Sequence, residues 1–275
     1  MTSLAGRTIV MSGGSRGIGL AIALRAARDG ANIALLAKTA EPHPRLQGTI
    51  HSAAEEIEAA GGQALAIVGD VRDDSTVADA VERAFERFGS IDIVVNNASA
   101  IDVSPSTTIA MKRYDLMQDV NARGTFLLSR TAVPYLRDAD NPHVLTLSPP
   151  LSPDAKWLGP HLAYTLAKFG MSMCTLGMAA EHRDAGIAFN SLWPRTIIAT
   201  AAVQNLLGGD AAMRRARRPE IVADAAHVIL TRAARTTTGN FFIDDEVLVA
   251  AGVTDLDPYA YVPGAELQVD LFLDG

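Results

Sequence analysis

Cysteine is nearly absent from this chain, since Cys174 is the single one in 275 residues. One thiol cannot form an internal disulfide or a cysteine-rich zinc centre, which excludes the disulfide-stabilised secreted proteins and the thiolate zinc proteins. Basic charge is also in deficit, because 24 Lys and Arg face 31 Asp and Glu, for a formal net charge of −7. An acidic chain has no electrostatic reason to bind phosphate backbones, so we expect no nucleic-acid partner.

Long apolar runs are missing as well. No segment approaches the roughly 18 consecutive apolar residues of a membrane-spanning helix, and residues 1–10 lack the stretches typical of a signal peptide. The last six residues carry no peroxisomal address and no prenylation cysteine. We therefore expect no membrane span and a cytoplasmic location. The histidines show no metal-ligand spacing with carboxylates, so we predict no metal site.

What the chain does have is an alternation of short apolar runs with helix-like segments. The runs are continuous rather than alternating with polar residues, which predicts strands covered by helices on both faces. We therefore predict an α/β, three-layer, doubly wound Rossmann-type fold with a parallel sheet of about seven strands. The predicted strands are Arg7–Ser12, Asn32–Ala37, Ala64–Gly69, Ile91–Asn96, His143–Ser148, Ile187–Trp193 and Phe241–Ile243.

No linker or change of composition divides the chain, so residues 1–275 are predicted to form one domain. Its cofactor half covers roughly 1–150, a catalytic helix and substrate lid cover 151–245, and a tail covers 246–275. The tail mixes Asp, Gly and Pro with isolated apolar residues, and no pattern assigns its structure. Prolines 42 and 44 predict an extended surface loop over residues 41–49.

A glycine-rich loop follows the first predicted strand and leads directly into a helix. Gly13, Gly17 and Gly19 are spaced by four and two residues. Glycines at such a turn allow backbone N–H groups and the helix N-terminus to approach a pyrophosphate. A glycine loop alone is weak support, but its position between strand and helix favours a dinucleotide site.

The end of the second predicted strand indicates which dinucleotide binds. A site for NAD usually has an acidic residue there, and none occurs in residues 35–40. Instead Lys38 stands at the strand end and Arg16 lies in the glycine loop. Two cations near a 2′-phosphate favour NADP(H) over NAD(H). The alternative is that both are solvated surface charges.

Taken together, these features resemble the short-chain dehydrogenase/reductase family, over nearly the whole chain. The segments that carry the resemblance are Gly13–Gly19, Asp70–Val71, Asn96–Ser99, Asn121, Tyr164–Lys168 and Asn190–Pro194. Within the family, Ala37–Pro44, Leu147–Pro150 and Gly239–Asp244 are similar to a hydroxysteroid dehydrogenase-like branch.

The resemblance implies a set of cofactor contacts. Asp70 would accept from the adenine amino group, or alternatively cap a helix, and Asn97 would brace the strands or simply stabilise a turn. Ile197 would offer its backbone to the nicotinamide carboxamide. The full implied cofactor set is Gly13, Ser15, Arg16, Gly17, Ile18, Gly19, Lys38, Asp70, Val71, Asn97, Lys168, Pro194 and Ile197.

The resemblance also implies catalytic roles. Tyr164 would exchange a proton with the substrate oxygen, and Lys168 would support it while binding the nicotinamide ribose. Asn121 would continue a proton relay through water, or be an ordinary polar helix residue.

The spacing of Tyr164 and Lys168 supports these roles independently. The two residues lie four apart in a predicted helix, residues 162–181, so both side chains project from one face. A free tyrosine has a pKa of about 10 and is a slow acid or base near neutral pH. An ammonium at about 4 Å contributes on the order of 4 kcal/mol at an effective dielectric constant of about 20. We therefore expect Lys168 to lower the pKa of Tyr164, although this spacing alone also fits an amphipathic surface helix.

The sequence departs from the family pattern at two places. The usual serine at the end of the fifth strand falls on Pro149, or on Leu151 when counted back from the tyrosine. We predict that Ser148 polarises the substrate carbonyl, with Ser152 as the alternative. The family's Pro-Gly after the sixth strand is Pro194-Arg195, where Arg195 either binds an anionic substrate group or is a surface arginine.

The sequence thus predicts an oxidoreductase that transfers hydride between NADP(H) and a carbonyl or secondary alcohol. Apolar residues over 151–162 favour a lipophilic small-molecule substrate, with Trp157 and His161 lining its pocket. The alternative is a protein of the same fold that binds NADP(H) without turnover and acts as a sensor or through protein contacts. The resemblance implies a homodimer or homotetramer.

Overall fold

A computed structural model describes residues 2–42 and 48–274 of the chain. In this part, seven parallel strands form one sheet in the order β3-β2-β1-β4-β5-β6-β7. The strands coincide with the predicted ones apart from small differences at their ends: β1 Thr8–Ser12, β2 Asn32–Ala37, β3 Gln63–Val68, β4 Ile93–Asn96, β5 His143–Thr146, β6 Ala188–Trp193 and β7 Phe241–Ile243.

Helices cover both faces of the sheet. They are α1 Gly17–Ala27, α2 Ile50–Ala59, α3 Asp74–Phe88, α4 Met111–Met117, α5 Gly124–Leu136, α6 Ala155–Leu158, α7 Leu162–Glu181, α8 Ala201–Leu206, α9 Gly209–Arg214, α10 Glu220–Leu230 and α11 Asp244–Ala250. Buried side chains of α1, α2, α10 and α11 form one core, and those of α3, α5 and α7 form another. The predicted three-layer, doubly wound α/β fold is therefore confirmed.

Local chemistry sets the helix ends. At the start of α3, the Asp73 carboxylate accepts from the backbone N–H of Thr76 at 2.7 Å, and Gly89 closes the helix with a φ of 81°. At the start of α2, the Thr49 hydroxyl accepts from the N–H of Ser52 at 3.1 Å. The predicted loop over residues 41–49 is described only in part, and its residues 43–47, Pro44 included, lie outside the described residues.

A six-residue π-helix, Gln118–Arg123, connects α4 to α5 without a loop. The wider turn of a π-helix often occurs at functional sites, because it changes which side chains face inward. Here it turns Asn121 fully into the protein interior.

The strand order determines where a ligand can bind. The chain leaves β1 in one direction toward β2 and β3, and it returns to the other side of β1 at β4. The helices that follow these strands diverge at this point, which opens a crevice beyond the carboxyl ends of the strands. The glycine loop after β1 and residues 97–101 after β4 both lie at this crevice.

The C-terminal tail returns to the same edge of the sheet. Residues 268–272, called the tail segment below, run antiparallel to the segment that follows β6, with Thr196 bridged to Val269. The N–H of Asp270 donates to the carbonyl of Arg195 at 3.0 Å, and the Trp193 indole donates to the carbonyl of Leu271 at 2.8 Å. The tail, which no sequence pattern assigned, is thus part of the wall beside β6.

Candidate active site

The glycine loop lies against the chain that follows β4. Gly13 has a φ of +76°, and a Cβ placed on it would lie 2.8 Å from the Ala98 Cα. A Cβ on Gly19 would lie 2.5 Å from both Asn97 Nδ2 and the Gly13 carbonyl. The Asn97 amide donates to that same carbonyl at 2.7 Å. Asn97 therefore braces the loop, and both glycines are required by close approach of the two segments.

A cavity of about 820 Å³ begins at this loop and extends to the C-terminal end of β6. We call it the central cavity. Of the predicted cofactor residues, only Gly19 does not line it, because Gly19 is buried beneath the loop. The residues that do line it are Gly13, Ser15, Arg16, Gly17, Ile18, Lys38, Asp70, Val71, Asn97, Lys168, Pro194 and Ile197. A glycine loop with crowded, positive-φ backbone at one end of such a cavity fits a dinucleotide.

Some of the charged residues at the glycine-loop end form ion pairs with one another. Lys38 lies 3.3 Å from the Asp70 carboxylate, which also accepts from Arg72 at 2.7 Å. The hydrogen bonds from Arg72 hold the pKa of Asp70 at about 2, so this carboxylate is ionised. Arg16 donates to the Gly48 carbonyl at 2.8 Å, while its Nε has no partner among the described residues.

Tyr164 and Lys168 project from α7 into the same cavity, as the spacing predicted. The Lys168 ammonium donates to the carbonyl of Leu147 at 2.8 Å and lies 5.1 Å from the centre of the Trp193 ring. Both contacts fix the side chain in a buried position.

Burial affects the ionisation of both residues. It lowers the pKa of Lys168 to about 7 and raises the pKa of Tyr164, which a nearby Asp270 carboxylate raises further. The expected lowering of the Tyr164 pKa by Lys168 is thus wrong, because burial is the largest influence on this phenol and raises its pKa.

The predicted catalytic serine does not reach the cavity. Ser148 is fully buried, and its hydroxyl is paired with that of Ser191 at 2.9 Å, behind the cavity wall. The alternative, Ser152, accepts from the backbone N–H of Asp154 at 3.2 Å and does not line the cavity either. The assignment of Ser148 as the group that polarises a substrate carbonyl is therefore corrected, since its hydroxyl points into the core.

Asn121 also lies outside the cavity. Its side-chain oxygen accepts from the N–H of Ala100 at 2.7 Å, and its amide donates to the carbonyl of Ala100 at 3.0 Å. Each polar group of this side chain makes one hydrogen bond to the backbone of Ala100, and the predicted relay through Asn121 stays a prediction. Asn121 fixes Ala100, which lines the cavity.

The tail segment changes two further expectations. The N–H of Ile197, expected to face the nicotinamide carboxamide, donates to the carbonyl of Gln268 at 3.0 Å, and the Ile197 carbonyl accepts from Arg217 at 3.0 Å. Arg195 pairs with Asp245 at 3.3 Å and with Glu246, and it does not line the cavity. These contacts favour a structural role for Arg195 over binding of an anionic substrate.

Trp157 and His161, expected to line the substrate pocket, lie in an aromatic cluster instead. Phe272 of the tail segment occupies its centre, with ring centres 6.1 Å from Trp157 and 5.6 Å from His161. The Phe272 ring also lies 6.1 Å from that of Tyr164. Trp157, His161 and Phe272 do not line the cavity, whereas Tyr164 and Trp193 of the same cluster do.

Asp270 is the residue of the central cavity that sequence reasoning missed. It is the acidic side chain that the tail segment brings to the cavity wall beside Tyr164 and Lys168. Burial raises its pKa to about 7. One signal was available: Asp270 is followed by Leu-Phe-Leu, so the apolar residues needed to draw a carboxyl into a core stand directly beside it.

Comparison with known proteins identifies the family. The family model described as short chain dehydrogenase matches residues 7–209. The chain belongs to the short-chain dehydrogenase family. Its members are oxidoreductases that act on alcohols and carbonyls of small molecules and bind a nicotinamide cofactor.

Similarity to individual proteins extends beyond residues 7–209 to nearly the whole chain. The chain is 54% identical over 271 residues to hydroxysteroid dehydrogenase-like protein 2 of Xenopus laevis, which covers 98% of this chain and 64% of that relative. The predicted likeness to the hydroxysteroid dehydrogenase-like branch is thus confirmed. The chain therefore spans about two thirds or less of the length of such curated relatives.

Solved structures of the family agree with the fold. A putative dehydrogenase from Xanthomonas campestris has 56% identity and a TM-score of 0.96, with 99% of this chain and 100% of that chain covered. A metagenomic short-chain oxidoreductase in complex with NADP has 26% identity and a TM-score of 0.69, with 87% and 97% covered.

Residues 2–42 and 48–274 contain no helix with the length and apolar character needed to cross a bilayer. They also contain no group of three or more His, Cys, Asp or Glu side chains arranged to hold a metal ion.

Proposed function

We propose that this short-chain dehydrogenase is an NADP(H)-dependent oxidoreductase that interconverts a carbonyl and a secondary alcohol, with Tyr164 as the acid and base. The observation that carries the proposal is that Tyr164 and Lys168 line the same cavity as the glycine loop. A nucleotide held at the loop would extend along the cavity toward these two side chains.

The two residues divide the proton chemistry. When bound, the nicotinamide cofactor supplies the hydride in reduction and accepts it in oxidation. In reduction, the Tyr164 hydroxyl gives its proton to the substrate oxygen, where negative charge develops. Its raised pKa keeps the phenol protonated near neutral pH, so the proton is available for transfer to that oxygen. The Lys168 ammonium then stabilises the resulting phenolate.

A preference for NADP(H) over NAD(H) is proposed from the charges at the glycine-loop end. Lys38 lines the cavity directly after β2, and Arg16 has an unpartnered Nε–H in the described part of the chain. A 2′-phosphate would bring its own acceptor oxygens to these donors. The neighbouring Asp70 carboxylate forms an ion pair with Arg72, so its charge repels a 2′-phosphate only weakly.

A lipophilic small-molecule substrate is proposed from the large apolar side chains that line the central cavity. Such side chains are typical of ligand pockets. These side chains are Ile101, Leu116, Val120, Trp193, Leu206, Leu207 and Leu271.

A homodimer or homotetramer is proposed from the surface, and a cytoplasmic location from the sequence. Apolar side chains of α5 and α7 remain exposed in the isolated chain: Phe126, Leu162, Leu166, Met173 and Leu176. Exposed apolar groups on neighbouring helices are typical of a subunit interface. Light scattering that gives the mass of a single chain would contradict the oligomer.

The catalytic proposal is tested with a panel of ketones and secondary alcohols, followed by nicotinamide absorbance. We expect wild-type turnover, and a loss of about 1,000-fold in Tyr164→Phe with NADPH binding retained. Tyr261→Phe is the matched control, because it removes the same hydroxyl from an exposed ring outside the cavity. If wild type binds NADPH and converts nothing in the panel, a binding protein without turnover becomes the better account.

A further inference from the structure

The central cavity lacks the hydroxyl that the fifth strand was expected to provide. Ser148 points into the core, and Ser152 lies outside the cavity. Tyr164 must donate a proton to the substrate oxygen, and one donor leaves the developing negative charge only partly stabilised. A second hydrogen-bond donor facing the same oxygen would complete the site.

Asp270 is the group in position to do this. Its Oδ1 accepts from the N–H of Leu271 at 2.7 Å, whereas its Oδ2 has no hydrogen-bond partner among the described residues. The side chain lines the cavity on the side of Tyr164 and Lys168. One carboxyl oxygen is therefore fixed by the backbone, and the other is left for a ligand.

Several contacts hold the carboxyl in this place. On either side of it, Ile197 donates to the Gln268 carbonyl at 3.0 Å and Trp193 donates to the Leu271 carbonyl at 2.8 Å. Phe272 has a φ of 73°, the one positive φ at a residue other than glycine in the described chain. Such backbone costs energy and persists where surrounding packing imposes it, often at functional sites. The aromatic cluster around Phe272 supplies that packing.

We infer that Asp270 is a catalytic residue of this enzyme, whose protonated carboxyl donates a hydrogen bond to the substrate oxygen that receives the proton of Tyr164. The inference rests on the proposed function. Asp270 keeps its own proton throughout, and only the Tyr164 proton is transferred.

The surroundings favour the protonated carboxyl near neutral pH. Against the hydrogen bond from the Leu271 N–H, burial and the carboxylate of Asp244 at the start of α11 together raise its pKa from 3.8 to about 7. Lys168 on α7 acts in the opposite direction and lowers it, and Tyr164 is neutral. Negative charge that develops on a substrate oxygen would favour the protonated form again.

The test measures kcat, KM and NADPH binding for wild type, Asp270→Ala and Asp270→Asn, with a carbonyl substrate taken from the panel. The Asn side chain can keep the bond to Leu271 through its oxygen and present an N–H where the carboxyl presents its O–H. Asp274→Asn is the matched control, because this tail carboxylate pairs with Lys156 outside the cavity.

We expect Asp270→Ala to lower kcat roughly 100-fold. Asp270→Asn should keep kcat within about 10-fold of wild type, because a neutral donor is retained. Asp274→Asn should leave kcat unchanged, and NADPH binding should be the same in all four proteins. Tryptophan emission checks that the tail segment stays docked, since Trp157 and Trp193 both contact Phe272.

The outcomes separate the inference from the proposed function. An active wild type with an equally active Asp270→Ala overturns the inference alone. Asp270→Asn as slow as Asp270→Ala, with unchanged emission in both, also overturns it, because a donor would then have no effect. A wild type that converts no carbonyl contradicts the proposed function and the inference together.

Discussion

The two ends of the central cavity are built in different ways. At one end, the residues around the glycine loop come from short stretches directly after β1, β2, β3 and β4, and close backbone packing shapes the loop. At the other end, Tyr164 and Lys168 of α7 meet the tail segment, about a hundred residues further along the chain. The first end depends on local sequence, and the second depends on docking of the tail.

The difference in construction suits the two ends of the cavity to different ligands. Strand ends and a tight loop can bind a nucleotide in the same way in many proteins, because its phosphates are constant. A wall made by the C-terminal tail is free to vary with the substrate. The tail end of the cavity is therefore where we expect substrate specificity to be determined.

The largest expected effect comes from removing the anchor of the tail segment. Phe272→Ala deletes a ring that is buried among Trp157, His161, Tyr164, Phe169 and Trp193. The packing lost is worth about 3 to 5 kcal/mol, so the tail should detach. Emission of the two tryptophans, the only two in the chain, should shift to longer wavelength. Phe85→Ala, at an exposed site on α3, should not change it. An unshifted Phe272→Ala would show that the tail docks without this ring.

The corresponding change at the other end is Gly13→Ala. The added Cβ would approach the Ala98 backbone to 2.8 Å at a φ of +76°, and strain and collision together cost about 3 kcal/mol. We expect NADPH to bind roughly 100-fold more weakly by fluorescence titration. Gly30→Ala is the control, because it has a φ of +88° with nothing within 4 Å of the added atom. Equal binding in wild type and Gly13→Ala would contradict the local account of this end.

Cofactor choice should change by a smaller factor. Lys38→Asp replaces the cation after β2 by a carboxylate, which repels a 2′-phosphate and accepts from a ribose hydroxyl. We expect the ratio of kcat/KM for NADPH to that for NADH to fall about 10-fold or more. Lys112→Asp, on α4 away from the cavity, should leave the ratio unchanged. An unchanged ratio in Lys38→Asp would refute the assignment.

A further effect is a pH dependence of stability. Folding raises the pKa of Asp270 from 3.8 to about 7, so between these pH values the folded protein holds a proton that the unfolded chain has released. Unfolding then releases a proton, and this contribution destabilises the fold as pH rises. In Asp270→Asn it is absent. The Tm of the variant relative to wild type should therefore rise from pH 4 to pH 7, and a constant difference would contradict the raised pKa.

The sequence predicted the residues at the glycine-loop end of the cavity better than those at the tail end. The strand ends, the glycine loop and the helix over residues 162–181 follow from local patterns, and the structure agrees with each. Ser148 and Ile197 were assigned by position along their strands, and contacts with Ser191 and Gln268 occupy them instead. Those partners lie 43 and 71 residues away, beyond the reach of any local pattern.

The position of Asp270 could not be predicted from local sequence either. A single carboxyl in a tail has no periodicity that predicts its docking site. What brings it to the cavity is a set of contacts from Gln268 to Phe272 with residues on β6, directly after β6 and on α7.

The central claim is that a cofactor held at the glycine-loop end of the cavity meets its substrate beside Tyr164 and Asp270 at the other end, and a crystal structure of the NADPH complex tests it most directly. The account predicts the nicotinamide ring beside Tyr164, with the phenol and the Asp270 carboxyl facing one space in which a carbonyl carbon fits within about 3.5 Å of the ring. A nicotinamide placed away from Tyr164, or a tail segment displaced so that Asp270 leaves the cavity, would contradict it.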